Sequence, residues 1–483
     1  MRTVLRFFDD FWLDVRKNVK RNWYQPVLAG QLGKFGVYPS AAWCPEAGVY
    51  RLWYEVLPDF GKDGKRFLAL AESDDGLAWR DVPTKPDGLP GEARAFGNVV
   101  LAGGSEGIHG TSVFRDALEP DPAGRYKLCT IGEKVSYAPL SRMERNMMLC
   151  RSPDGVHWDW AGARAVYPFK SDTYNCILRN PVTGNYQLFF RASNVDRRVA
   201  MIQSADMSSW TRPMTVIHPD AGYDDESEMV QLYALWAGWF DGMFLGTLWR
   251  FHTEAADESY PKMFGSMDTE LVYSYNGTNW MHTTRAPLVP RPQPPAYGNT
   301  QLCLSGMFET RDRRDWILLG CASRAVHGSS RENKRLQELL HGDMADVCFY
   351  SVRRDGLSGL ECCGRGGLIG TKPFDLLAAD LSCNVNAPYG WVRFQVTDPE
   401  AKPIEGFSFE DCVPFTGDDR DMIPAWKAHA LAELKGRRVR LWAELNTAVL
   451  HSMTATIRPN LYGPQVSVSD PTRVEMAEGM AVP

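Results

Sequence analysis

Long apolar runs are missing from this sequence of 483 residues. No stretch approaches the roughly 20 consecutive apolar residues that a transmembrane helix needs, so we expect no membrane span. The N-terminal stretch MRTVLRFFDDFWLDV carries charges where a secretory signal peptide has its apolar core. We therefore expect a cytoplasmic protein that does not have the membrane as a partner.

Paired cysteines and an excess of positive charge are missing as well. The 11 cysteines are scattered, no C-x-x-C pair occurs, and the odd number leaves at least one thiol unpaired. Neither cysteine nor histidine shows the ligand spacing of a zinc site, so we expect reduced thiols, no metal and no cofactor. The net charge of −6 argues against nucleic acid or an anionic membrane as the main partner.

A short turn pattern, S-x-D-G-x-x-W, recurs along the chain. It reads SDDGLAW from Ser73, SPDGVHW from Ser152 and SYNGTNW from Ser274, with reduced copies SADMSSW from Ser204 and SVRRDGL from Ser351. Asp-Gly and Asn-Gly are typical of two-residue hairpin turns, in which both central residues have positive φ. An aromatic residue after the turn suits a half-buried strand. Each copy therefore predicts two strands joined by a tight turn.

Two further predicted strands precede each copy, as in PSAAWCPEAGVYRLWY before the first. The recurrence of this unit predicts an all-β fold, with a five-bladed β-propeller in residues 1–370. The segment RFFDDFWLDV is expected to supply a strand that helps to close the ring. After GTKPF, strictly alternating stretches such as WVRFQV predict a C-terminal β-sandwich, with a tail, in residues 371–483. The stretch SSRENKRLQELLHG predicts a helix inserted in the fifth blade.

A five-bladed propeller with S-x-D-G-x-x-W turns, followed by a sandwich, resembles the furanosidase-type glycoside hydrolases of families 32 and 43. The stretch AKPIEGFSFEDC is also similar to part of the family-32 accessory sandwich. The resemblance covers most of the chain and implies a hydrolase of short oligosaccharides, including furanosidic ones. The invertase signature W-M-N-D-P-N-G is absent, because the corresponding strand VYPSAAW has no carboxylate, and no E-C-P motif occurs. Catalytic residues therefore cannot be transferred by motif, and the resemblance is to a divergent member.

Candidate site residues follow instead from propeller geometry. The innermost strand of each blade begins, and the second strand ends, around the axis at one face of the ring. The predicted starts of innermost strands supply Tyr38, His109, Asp172, Glu228 with Gln231, and Asn299. The predicted ends of second strands supply Glu55, Arg191, Arg250, and Arg324 with His327, and Trp249 is a candidate for stacking on a sugar ring.

Asp172 and Glu228 form the predicted catalytic pair, because they occupy comparable positions in adjacent blades. Glycoside hydrolysis uses two carboxyl groups, one ionised as nucleophile or base and one protonated as acid. Arg191 beside Asp172 would favour its ionised form, and apolar neighbours would keep Glu228 protonated. Other interpretations stay open. Asp172 could cap a turn, another acid of the run DDESE could replace Glu228, and each arginine could be structural.

Three functions fit these observations. The leading hypothesis is a glycosidase with an oligosaccharide substrate. The second is a glycoside phosphorylase, because an arginine cluster with a single nearby acid would suit phosphate as the nucleophile. The third is a carbohydrate-binding propeller without catalysis, since a fold alone does not establish a function. The sequence leaves the sugar, the linkage and a homo-oligomeric state open.

Overall fold

The computed structural model describes residues 2–57, 65–84, 91–94, 96–104, 107–137, 140–166, 171–191, 197–220, 230–253, 264–328, 335–336, 339, 343–364 and 366–459. These residues are almost entirely β-structure, which confirms the predicted all-β class. Helix α1 (Gly91–Arg94) is a single turn, and most of the predicted helix SSRENKRLQELLHG lies outside the described residues. None of the helical segments in the described ranges has the length and hydropathy of a membrane span.

The described strands divide between two compact units, residues 25–354 and residues 2–24 with 355 onwards. In chain order the strands up to the middle of the chain are β1 (Arg2–Arg6), β2 (Leu13–Lys17), β3 (Lys20–Trp23), β4 (Val27–Gln31), β5 (Val37–Cys44), β6 (Val49–Val56), β7 (Phe67–Ser73), β8 (Arg80–Asp81), β9 (Val99–Leu101), β10 (His109–Arg115), β11 (Tyr126–Tyr137), β12 (Leu140–Ser152), β13 (Arg164–Ala165), β14 (Cys176–Arg179), β15 (Tyr186–Arg191), β16 (Val199–Ser204) and β17 (Met214–Ile217). The remaining strands are β18 (Val230–Phe240), β19 (Met243–Thr253), β20 (Gly265–Ser274), β21 (Met281–Pro287), β22 (Gln301–Glu309), β23 (Asp315–Ser323), β24 (Ala345–Arg353), β25 (Ser358–Cys362), β26 (Gly367–Thr371), β27 (Phe374–Leu376), β28 (Ser382–Thr397), β29 (Phe415–Met422), β30 (Arg438–Asn446) and β31 (Ala448–Pro459).

The described strands of the unit of residues 25–354 form five successive antiparallel groups of four, which we call the first to fifth sheets. They are β5–β8 (with β9 added), β10–β13, β14–β17, β18–β21, and β22–β24 with β4. The fourth and fifth are linked by one parallel pair, Met267 with Gln301. The first strands of the sheets contact one another in a circle, β5 with β10, β10 with β14, β14 with β18, β18 with β22, and β22 with β5. Ser305 in β22 donates to the carbonyl of Pro39 in β5 (2.6 Å) where the circle returns to its start.

The repeated turn joins the third and fourth strands of the first four sheets, as predicted. Its predicted geometry is wrong, because only the glycine has positive φ, as at Gly155 (φ 74°), and Asp154 does not. The turn is closed instead by side chains. The Ser152 hydroxyl accepts from the Gly155 N–H (2.8 Å), and the Asp154 carboxylate accepts from the N–H groups of Val156 (2.9 Å) and His157 (2.8 Å).

Each intact turn also packs against the preceding sheet. Trp53 of the first sheet donates to the carbonyl of Gly155 in the second (2.7 Å), and Gln187 of the third donates to Gly277 in the fourth (3.4 Å). A Cβ atom at Gly76 in the first sheet would lie 2.7 Å from Phe308 in the fifth. The glycine is therefore required both by the backbone and by the neighbouring sheet.

The fifth copy, from Ser351, behaves differently from the prediction. The strand that follows it, β25, pairs with β3 and β31 rather than with β24. The outer strand of the fifth sheet is β4, which pairs antiparallel with β24. The predicted closing strand in RFFDDFWLDV is also wrong, because β1 pairs with β31 and β2 pairs with β26.

The described strands of the second unit form one ten-stranded sheet around a core to which Phe7, Phe394 and Leu445 contribute. The C-terminal half of β28 pairs with β30, and its N-terminal half pairs with β31. Alternation explains the core: β30 reads RVRLWAELN, and Val439, Leu441, Ala443 and Leu445 are its buried positions.

Candidate functional site

The starts of the first strands come together where those strands contact one another. The ring of Tyr38 packs edge-on against His109, with centroids 5.5 Å apart. His109 Nε2 lies 3.9 Å from the Asp172 carboxylate, which precedes β14. We call Tyr38, His109, Asp172, Arg191 and Tyr233 the central cluster. Four of the candidate residues from the sequence belong to it, namely Tyr38, His109, Asp172 and Arg191.

Asp172 is the accessible carboxylate of the central cluster, since its side chain is 53% exposed. Arg191, at the end of β15, is only 2% exposed and donates through Nη2 to the Asp172 carboxylate (3.0 Å) and backbone carbonyl (3.2 Å). The Arg191 guanidinium lies over the ring of Tyr233, 4.8 Å from its centroid. A buried guanidinium thus fixes a carboxylate that solvent reaches.

Glu55 is a buried residue that holds neighbouring groups in place, and it is not an accessible acid. Its side chain is fully buried at the end of β6, where one oxygen accepts from the Thr111 N–H (2.8 Å) and the other from Arg66 (3.3 Å). Burial disfavours the charged form of Arg66 and by itself would lower the pKa of its guanidinium. The neighbouring Glu55 carboxylate and Tyr38 outweigh this effect, so the pKa is raised. Arg66 in turn lies 5.7 Å from the ring centroid of Tyr38.

A layer of nearly parallel aromatic rings underlies the central cluster. Trp249 stacks with Tyr38 at 6.1 Å and 10°, with Tyr174 at 5.4 Å and 25°, and with Tyr233 at 6.5 Å and 15°. Trp249 is 2% exposed and donates to the Leu304 carbonyl (2.6 Å). Trp249, which the sequence predicts to stack on a sugar ring, therefore lies at the centre. It is buried against the other aromatic rings and does not present a ring face to solvent.

Gln231 and His327 join the central cluster through Arg197 and Tyr233. Arg197 donates to the Gln231 side-chain oxygen, and its guanidinium lies 5.6 Å from the Tyr233 centroid. The Tyr233 hydroxyl is 3.0 Å from His327 Nε2. Burial, and the charge of nearby Arg191, lower the pKa of Arg197 to about 10.

Three predicted residues have other surroundings. Arg250 is buried, and its Nη1 donates to the carbonyl of Arg285 in β21 (2.6 Å), at the outer edge of the fourth sheet. Arg324 pairs with Asp343 (2.5 Å) and lines a cavity of about 440 Å³ with Leu28, Tyr297 and Tyr350. Asn299 lies in the turn before β22, where its N–H donates to the Ala296 carbonyl (3.4 Å). Glu228 lies outside the described residues.

No sequence pattern points directly to Arg66, Arg197, Tyr174 and Tyr233. Arg66 and Arg197 precede strands β7 and β16, in loops whose direction no periodicity defines. Tyr233 sits three residues into β18, where it reads as an ordinary apolar strand position. Within the described ranges, no group of three or more His, Cys, Asp or Glu side chains is placed to hold a metal ion.

This arrangement has a defined chemical capacity. An ionisable carboxylate with a fixed orientation faces solvent, with an imidazole beside it and buried guanidinium groups behind it. Such a carboxylate can act as a nucleophile or as a base towards water, provided that a second acidic group reaches the leaving group.

Comparisons with known proteins find distant similarities alone. No family model matches the chain, and no curated protein matches it. Among solved structures, a thermostable family-43 glycoside hydrolase is 8% identical, covers 67% of this chain and 92% of its own length, and has a TM-score of 0.45. An N-acetylgalactosamine deacetylase from F. plautii, in complex with blood group B trisaccharide, is 12% identical over 71% of this chain and 97% of its own (TM-score 0.46). A family-43 arabinoxylan arabinofuranohydrolase from Bacillus subtilis, in complex with cellotetraose, is 9% identical over 88% and 96% (TM-score 0.39). At such TM-scores and identities these likenesses carry no argument about this chain.

Proposed function

We propose that this chain is a glycoside hydrolase that cleaves a short oligosaccharide at the central cluster, with furanosidic linkages as the first candidates. The observation that carries the proposal is Asp172. Its carboxylate is half exposed, Arg191 holds it from the buried side at 3.0 Å, and His109 lies 3.9 Å away. A turn-capping aspartate accepts backbone N–H groups, as Asp154 does, whereas the Asp172 carboxylate accepts from a buried guanidinium.

The proposed architecture is a five-bladed propeller followed by a β-sandwich. The circular contacts among β5, β10, β14, β18 and β22 support the propeller, and β4 paired with β24 would close its last blade. The partner change along β28 supports two layers, one containing β30 and the other β31. We place the division between the two domains near residue 355 rather than at the predicted residue 370, because the pairing of β1, β2, β25 and β26 favours assigning these strands to the sandwich.

In the proposed reaction Asp172 is the ionised partner of the catalytic pair. Its carboxylate either attacks the anomeric carbon or removes a proton from the attacking water, while an acid protonates the departing glycosidic oxygen. Glu228 remains our candidate for that acid. Arg191 orients the carboxylate and balances its charge, and Gln231 and His327 lie beside Tyr233 as candidates for hydrogen bonds to sugar hydroxyls.

Phosphorolysis is the second candidate, and one observation favours it. Two buried guanidinium groups, those of Arg191 and Arg197, lie over the same Tyr233 ring, at 4.8 and 5.6 Å from its centroid. Paired guanidinium groups bind phosphate oxygens well. In this case turnover would require inorganic phosphate and would release a sugar phosphate.

The test is hydrolysis of a panel of p-nitrophenyl glycosides and of arabino-, xylo- and fructo-oligosaccharides, with and without phosphate, followed by product chromatography. We expect phosphate-independent release of free sugar by the wild type and by Asp154→Asn, a control at a turn carboxylate. We expect no release by Asp172→Asn. Cleavage that depends on phosphate would favour the second candidate, and sugar binding without cleavage would favour a binding protein. Equal activity of Asp172→Asn would remove Asp172 from the mechanism.

The remaining predictions belong to the same proposal. We also propose a cytoplasmic location and an oligosaccharide partner for the protein. A homo-oligomer stays open, and sedimentation of the full chain would decide it.

A further inference from the structure

Tyr38 has a backbone conformation that side chains rarely adopt. Its φ is 51°, in the left-handed region, and the pairing of β5 with β6 loses its register between Val37 and Ser40. For a residue other than glycine this conformation is strained, because the Cβ atom crowds the following carbonyl oxygen. Such strain persists where the surrounding structure holds it, and it clusters at functional sites.

The strained backbone places the Tyr38 ring at the middle of the central cluster. Tyr174 stacks on it (6.1 Å, 15°), Trp249 stacks on it (6.1 Å, 10°), and His109 meets it edge-on. The Arg66 guanidinium, anchored by buried Glu55, lies 5.7 Å from its centroid. Tyr38 is nevertheless partly exposed, whereas Tyr174 and Trp249 are buried.

The electrostatic surroundings favour a neutral phenol. Burial, followed by the neighbouring Tyr233, raises the pKa of Tyr38, and Glu55 and Asp172 add to this effect while Arg66 opposes it. A protonated phenol donates hydrogen bonds and is a poor nucleophile.

We propose that Tyr38 is a further functional residue of the central site, whose phenol O–H donates a hydrogen bond to a sugar oxygen of the substrate next to Asp172. This inference rests on the proposed function, because it assigns Tyr38 a contact with the same glycan. The alternative is that Tyr38 is only a packing residue of the aromatic layer. The two differ in what the hydroxyl does, since packing needs only the ring.

The deciding variant is Tyr38→Phe, which keeps the ring and removes the hydroxyl. The matched control is Tyr186→Phe, because the Tyr186 hydroxyl donates to Asp116 (2.9 Å) in a buried ion-pair network with Lys127 in the second and third sheets. We expect Tyr38→Phe to lower kcat/KM about 10- to 100-fold with an unchanged melting temperature. We expect Tyr186→Phe to lower the melting temperature with kcat/KM within about threefold of wild type.

Two outcomes of the kinetic test count against the proposal. Wild-type kcat/KM in Tyr38→Phe, or a loss of activity matched by a loss of stability, would assign Tyr38 to packing while the hydrolase proposal survives. If the wild type cleaves no glycoside, the proposed function fails by itself. Tryptophan fluorescence would then compare the affinities of the wild type and Tyr38→Phe for arabinose, xylose and fructose. Equal affinities, or no binding to either protein, would then overturn the role of Tyr38, and weaker binding by Tyr38→Phe would uphold it.

Discussion

Replacing Asp172 by Asn should separate chemistry from stability at the central site. The carboxylate is 53% exposed, so solvent screens its ion pair with Arg191, and such pairs contribute about 0–1 kcal/mol. An asparagine oxygen can still accept from Arg191, and the Asp172 backbone carbonyl already does so at 3.2 Å. The free energy of unfolding should therefore fall by no more than about 1 kcal/mol.

Turnover should fall much further. Loss of a nucleophile or base costs at least about 10³-fold in kcat, which corresponds to about 4 kcal/mol of barrier. Urea denaturation and steady-state kinetics on the best glycoside measure the two quantities in the same preparation. In the smaller variant Asp172→Gly, azide should restore turnover and give a glycosyl azide, because it fits the space that the carboxylate leaves. Activity within tenfold of wild type, or a loss of more than about 3 kcal/mol of stability, would refute this reasoning.

Three further variants test other parts of the molecule. Arg250→Ala should lower the free energy of unfolding by about 1–3 kcal/mol and leave KM unchanged, because it removes a buried donor to the Arg285 carbonyl. A raised KM with normal stability would instead place Arg250 in the binding site. Gly155→Ala should lower the free energy of unfolding by about 2–4 kcal/mol, because the φ of 74° disfavours a side chain and a Cβ atom would lie 2.6 Å from buried Trp53. An unchanged free energy of unfolding in urea denaturation would contradict the packing of the turn. Burial disfavours the charged form of Asp154, but the His157 and Val156 N–H groups and the His157 ring outweigh this effect and lower the pKa of Asp154 to about 2. The ionised carboxylate therefore contributes its full stabilisation above the usual pKa of 3.8, and this stabilisation is lost as the pH falls towards 2. Asp154→Asn introduces the residue found at the equivalent position of the fourth sheet, Asn276. In this variant the free energy of unfolding should no longer show the decrease of about 1 kcal/mol that Asp154 causes at acid pH. An unchanged dependence of stability on pH would contradict this.

Local turn chemistry explains why much of the strand order could be predicted. Ser152, Asp154 and Gly155 close their turn with their own side chains and backbone, so the pattern identifies a strand pair without tertiary information. The outer strand of the fifth sheet carries no such signal. β4 reads VLAGQ, and its mostly exposed side chains show no alternation that would predict a partner. Its partner β24 begins only at Ala345, far along the chain, so no turn joins the two strands.

Strand alternation explains which site residues the sequence could identify. Positions at strand starts led to His109 and Asp172, because chain direction alone brings those ends together. The sequence-based prediction places both Trp249 and Arg250 at the centre, although neighbouring side chains of a strand point to opposite faces. Trp249 faces the aromatic layer and Arg250 faces the opposite way, towards β21.

A crystal structure of Asp172→Asn with a bound oligosaccharide tests the central claim most directly. The variant should bind substrate without cleaving it, so the intact glycan should be visible. We predict that a glycosidic bond lies within about 4 Å of residue 172, over Tyr38 and beside His109, as nucleophilic or base catalysis requires. A glycan bound only in the cavity of Arg324 and Tyr297, or only on the unit containing β28–β31, would contradict the proposal.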